Sequence, residues 1–91
     1  MIDAYKKLAA LSMDLKRVAL GYHSKSNQTA SRFVEESLKK IHDINSDDFP
    51  PYLQKLLANT EHVITQKDKQ KVAEDALMYS TLLQNAALNK I

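Results

Sequence analysis

Glycine and proline are almost absent from this 91-residue chain, which holds one glycine, Gly21, and two adjacent prolines, Pro50 and Pro51. Tight turns and hairpins depend on these two residue types, because glycine reaches backbone angles closed to other residues and proline fixes its own. A chain that nearly lacks both can make few such turns. The sequence therefore predicts long, uninterrupted elements and an all-α fold.

Apolar residues recur at three- and four-residue steps in four segments, which is the period of a helix that buries one face. Short polar connections separate these segments, so consecutive helices are expected to lie antiparallel. We predict one helical domain over residues 1–91, folded as an up-down-up-down four-helix bundle. The predicted helices cover about residues 2–20, 28–44, 50–64 and 66–89.

Local signals predict where these helices begin and end. Gly21 follows the first apolar stripe and is a candidate end of that helix, because glycine suits the left-handed residue after a helix end. Tyr22 continues the apolar period, so an end slightly after Gly21 is the alternative. Either Asp47 or Asp48 is expected to cap the third helix. Thr65 and Asp68, a hydroxyl residue with an acid three positions on, predict the cap of the fourth.

The two middle helices carry one apolar stripe each, whereas the first and fourth have more apolar surface than one neighbour covers. We expect the polar arc of the first helix to hold Asp3, Lys6, Lys7, Asp14 and Arg17. The residues predicted to be buried in the core are Leu15, Phe33, Leu38, Ile41, Leu56, Leu57, Val72 and Leu83.

The surplus apolar surface on the two outer helices predicts an interface. Leaving it in water would expose a contiguous apolar patch, which monomeric proteins usually avoid. We therefore expect a homodimer, or contact with a different protein partner, through this surface. The candidate interface residues are Ile2, Ala9, Met13, Leu20, Leu77, Leu88 and Ile91.

Charge, cysteine content and hydropathy exclude several classes of function. Thirteen basic and eleven acidic side chains give a net charge of +2, too small to predict binding to nucleic acid. The chain has no cysteine, which excludes disulfides and most structural zinc sites and fits a cytoplasmic protein. The sequence shows no signal-peptide pattern and no apolar run of membrane-spanning length, so we expect neither a leader nor a membrane span.

No catalytic or cofactor motif is present in the sequence. One glycine cannot form a phosphate-binding loop, and the three histidines, His23, His42 and His62, stand alone rather than at metal-ligand spacing. The alternating lysines at 67, 69 and 71 are expected to be solvated side chains at a helix start. We therefore expect a non-enzymatic interaction protein with no cofactor and no metal.

Two resemblances supply alternatives. Arg17 and His23, separated by five residues, resemble the Arg-x4–6-His signature of the HEPN ribonucleases, an all-α family whose active site forms on dimerisation. That resemblance implies catalytic roles for Arg17 and His23. The plan of two long outer and two short inner helices resembles bacteriocin immunity proteins, which are small, mildly basic four-helix bundles. That resemblance implies a cytoplasmic protective protein.

Overall fold

Four α-helices and one short 3₁₀ helix make up the computed structural model, which describes residues 2–89. Within those residues there is no strand, so the all-α prediction is confirmed. The Cα radius of gyration is 12.3 Å, matching the roughly 12 Å of a compact chain of this length. The helices are α1 (Ile2–His23), α2 (Asn27–Asp43), α3 (Pro51–Ile64) and α4 (Lys69–Leu88), with the 3₁₀ helix at Ser46–Asp48.

The first helix is the centre of the bundle. It packs along α4 on one side and along α2 on the other, whereas α3 contacts its neighbours over a smaller area. Opposite ends of α1 and α2 meet, since Lys7 pairs with Asp43 and Gly21 approaches Ala30. The fully buried side chains that α1 contributes to this core include Leu8, Leu11, Leu15 and Val18.

The first helix ends at His23, two residues beyond Gly21, which agrees with the apolar period that continues through Tyr22. Gly21 itself does not end the helix. Lys25 adopts the left-handed conformation with φ 63°. Its N–H donates to the Tyr22 carbonyl at 3.1 Å, and the Ser26 N–H donates to the Gly21 carbonyl at 2.8 Å. These two bonds form a Schellman motif in which lysine occupies the position that glycine usually takes.

The glycine serves packing between α1 and α2. Gly21 is buried inside the last turns of α1, where a Cβ atom would lie 2.9 Å from both the N and the Cβ of Ala30. No side chain fits at that separation without a shift of the helices. Position 21 therefore requires glycine because no side chain fits there, and not because the backbone needs an unusual conformation.

The caps of α3 and α4 also differ from prediction. Neither Asp47 nor Asp48 caps α3, because both lie in the 3₁₀ helix, and Pro50 stands in the cap position. At α4 the cap is Asp68 alone, whose side chain accepts bonds from two backbone N–H groups. Thr65 instead ends α3, and its hydroxyl donates to the carbonyl of Glu61 at 2.9 Å.

Half of the predicted core residues are fully buried. Leu15, Leu57, Val72 and Leu83 are at most 5% exposed, which confirms that part of the prediction. The other four predicted residues contact the core but keep part of their surface in water, because α2 and α3 are covered mainly from one side. These partly buried residues are Phe33, Leu38, Ile41 and Leu56.

One predicted polar residue, Asp14, is buried. Its side chain is 6% exposed between α1 and α2, with Lys40 Nζ 2.6 Å from Oδ2 and Arg17 3.4 Å from Oδ1. The Lys40 ammonium and the Asp14 carboxylate therefore form a close ion pair across the contact of α1 with α2. Asp14 therefore belongs to the α1–α2 interface, which corrects its predicted place on the polar arc.

Candidate interaction surface

The candidate interface residues on α1 and α4 that the structure describes are largely exposed. Met13 is 48% exposed and Leu20 56% on α1, and on α4 Leu77 is 51% exposed and Leu88 63%. Ala9 is partly buried and packs against the core. The four exposed residues have large apolar side chains, and their removal from water would be favourable. The side chain of Ile2 and the whole of Ile91 lie outside the described residues.

Helical geometry places these residues on one line on each helix. At about 100° per residue, Ala9, Met13 and Leu20 fall within about 40° of one another around α1, and Leu77 and Leu88 within about 20° around α4. The faces by which α1 and α4 contact each other are different ones. On those faces the buried Ser80 hydroxyl of α4 donates to the Ser12 carbonyl of α1 at 2.8 Å. We call this set of exposed residues, Met13, Leu20, Leu77 and Leu88, the outer surface.

Part of the outer surface lines a groove between the end of α1 and the first half of α4. Leu20 and Leu77, which lie 57 positions apart in sequence, both line it. The depression has a volume of about 240 Å³, and we call it the apolar end of the groove. Its walls are Ala19, Leu20, His23, Ala73, Glu74 and Leu77.

The groove continues toward the loop that joins α1 to α2. There it widens into a second depression of about 550 Å³, which shares His23, Ala73 and Glu74 with the first. We call this the basic end. Its remaining walls are Tyr22, Lys25, Asn27, Lys69 and Gln70.

Two lysines set the charge of the basic end. The Nζ of Lys69 lies 5.8 Å from the centre of the Tyr22 ring, a cation–π distance, which fixes the start of α4 against the end of α1. Among residues 2–89, neither Lys25 nor Lys69 has a carboxylate within 4 Å. Only Glu74 among the walls of this end is acidic. The two lysines and the one glutamate leave the basic end with an excess of one positive charge.

Sequence reasoning did not find the basic end. The sequence predicts Lys69 as a solvated side chain, and Lys69 is exposed in the structure, but no sequence signal places Lys25 in the same depression. The basic end forms because the loop between α1 and α2 lies beside the start of α4. Residue spacing within either segment does not predict that contact between them.

Arg17 and His23 are not brought together within one chain. Arg17 reaches toward α2, where its guanidinium lies 5.4 Å from the centre of the Phe33 ring and 3.4 Å from Asp14. His23 faces α4 and lines the groove. Six residues of helix rotate the two side chains about 120° apart, so they open onto different surfaces.

Residues 2–89 contain no group of three or more His, Cys, Asp or Glu side chains placed to hold a metal ion. Over the same range, every helix is either too short or too polar to cross a bilayer.

Comparison with protein-family models, with curated proteins and with solved structures finds no match to this chain. The resemblances to HEPN ribonucleases and to bacteriocin immunity proteins therefore rest on the sequence alone. The inner helices, with 17 and 14 residues, are shorter than the outer ones, with 22 and 20.

Proposed function

We propose that this protein is a small, non-enzymatic interaction protein that acts through protein–protein contacts on its outer surface. The observation that carries the proposal is the exposure of Met13, Leu20, Leu77 and Leu88, four large apolar side chains aligned on two adjacent helices. Single exposed apolar residues are ordinary on protein surfaces, but aligned groups of them mark interaction sites. The apolar end of the groove adds concave shape to this surface.

Two copies of the chain associate through this surface in our proposal. In a two-fold symmetric dimer the same patch of each chain faces the patch of the other. The apolar residues of the two copies then bury one another, and no different protein is needed. The four helices alternate in direction as an up-down-up-down bundle, which is supported by the meeting of opposite ends of α1 and α2. The absence of cysteine supports a cytoplasmic setting, where thiols stay reduced and disulfides are rare.

Single-cysteine cross-linking tests this proposal cleanly, because the chain has no cysteine of its own. Variants Met13→Cys, Leu20→Cys and Leu77→Cys, each treated with a short bis-maleimide at micromolar protein, are expected to give covalent dimers. Met78→Cys is the matched control, since Met78 is as exposed as Leu77 but points about 100° away around α4.

The pattern of cross-links decides the outcome. Dimers from the outer-surface positions but not from position 78 are the expected result. Equal cross-linking at all four positions would indicate random collision, and no cross-linking at any of them would contradict the homodimer.

A further inference from the structure

The groove changes chemical character along its length. Its apolar end is walled by Leu20 and Leu77, whereas its basic end, about two helical turns away along α4, carries Lys25 and Lys69. The two ends are continuous, since Ala73 and the neighbouring Glu74 line both. Glu74 is the one acidic wall residue and lies where the two ends join, so a ligand complementary to the groove is apolar beside Leu20 and Leu77 and acidic beside Lys25 and Lys69.

The spacing of wall residues on α4 sets the dimensions of such a ligand. Lys69, Ala73 and Leu77 follow one another at four-residue steps, so they lie along one side of α4. Eight residues of helix separate Lys69 from Leu77, a rise of about 12 Å. A groove between two packed helices accepts the side-chain ridge of a third helix, which is a common mode of peptide recognition.

We propose that the groove binds an amphipathic helix of a partner protein, which presents a large apolar side chain to the apolar end and an acidic side chain to the basic end. To match the spacing on α4, the two side chains lie about seven positions apart on one face of the partner helix. The inference rests on the proposed function, because Leu20 and Leu77 belong to the outer surface. The partner helix therefore competes with a second copy of the chain for these two side chains. Charge complementarity selects this partner, since both lysines lack a carboxylate partner among residues 2–89.

The test is a titration of the ¹⁵N-labelled protein, followed by amide chemical shifts, with a designed peptide. The probe is an alanine-based helix of about 18 residues, long enough to be helical alone, with one leucine and one glutamate about seven positions apart. A second peptide carries lysine in place of the glutamate. Both peptides are titrated into the wild type and into Met13→Asp, a position outside the groove walls, so that binding and self-association are measured separately.

We expect saturable chemical-shift changes at groove residues with the glutamate peptide. The lysine peptide is expected to bind about tenfold more weakly, because its contacts with Lys25 and Lys69 are repulsive where those of the glutamate are attractive. The double variant Lys25→Glu/Lys69→Glu is expected to reverse this preference. Lys39→Glu/Lys55→Glu, an equal change of net charge at exposed positions away from the groove, is expected to keep it.

The two proposals fail in different ways. Binding of the glutamate peptide to a protein that is monomeric would leave this inference standing while removing the homodimer. Equal affinity for both peptides, shifts scattered outside the groove, or no saturable shift at millimolar peptide in Met13→Asp would overturn the inference. A response to anionic lipid vesicles without a response to the glutamate peptide would overturn it as well.

Discussion

Gly21 shows how much a single missing side chain determines at the contact between α1 and α2. A Cβ at this position would lie 2.9 Å from two atoms of Ala30, one of them a backbone nitrogen. Alanine favours a helix interior over glycine by about 1 kcal/mol, so helix propensity alone would make the substitution stabilising. The overlap with the backbone of α2 opposes that gain.

We predict that Gly21→Ala lowers the free energy of unfolding by about 1–3 kcal/mol, the usual cost of overpacking a tight contact. Urea unfolding followed by far-UV circular dichroism measures it. Ala10→Gly serves as the propensity control, since Ala10 is exposed in the same helix. A Gly21→Ala protein more stable than the wild type would show that α2 does not approach α1 this closely.

Lys25 holds backbone strain at the other side of the same connection. Its φ of 63° is a left-handed conformation that costs an ordinary residue about 1–2 kcal/mol and costs glycine almost nothing. We predict that Lys25→Gly raises the free energy of unfolding by about 1 kcal/mol, seen as a higher urea midpoint. Lys16→Gly, at an exposed position inside α1, is expected to lower it by about the same amount. A loss of stability in Lys25→Gly would contradict the Schellman motif.

At the scale of elements, the sequence predicts the helices well and their ends less well. Three- and four-residue periodicity locates all four helices because burial of one face drives their formation. The caps at Thr65 and Asp47–Asp48 were misplaced because several residues nearby can cap, and the choice among them depends on how the connection packs. Gly21 was misassigned for a related reason, since its use lies in a contact with Ala30 across the bundle.

Burial within α3 separates two leucines that the sequence treats alike. Leu53 is fully buried, whereas Leu56 contacts the core and remains partly exposed. We predict that Leu53→Ala costs about 2–5 kcal/mol of unfolding free energy, as for a buried leucine that leaves a cavity. Leu56→Ala is expected to cost about 1 kcal/mol, since water reaches part of that side chain already. Equal losses in urea unfolding would place the two residues in equivalent surroundings.

At the scale of the whole molecule, the sequence predicted an outer surface, and the structure adds the groove within it. Leu20 and Leu77 line one depression because the end of α1 lies beside the first half of α4. Helical periodicity gives the face of each helix but not the pairing of helices, so the groove and its basic end could not be derived from spacing. Asp14 shows the same limit, because it is polar in sequence yet buried against Lys40 of α2.

Sedimentation equilibrium at micromolar concentration tests the central claim most directly, with the wild type, Met13→Asp and Met78→Asp compared. Burial of the outer surface in a homodimer predicts twice the mass of one chain for the wild type and for Met78→Asp. For Met13→Asp it predicts the mass of one chain, because a carboxylate buried without a partner is strongly unfavourable. A wild-type protein with the mass of one chain, unchanged by Met13→Asp, would contradict the homodimer.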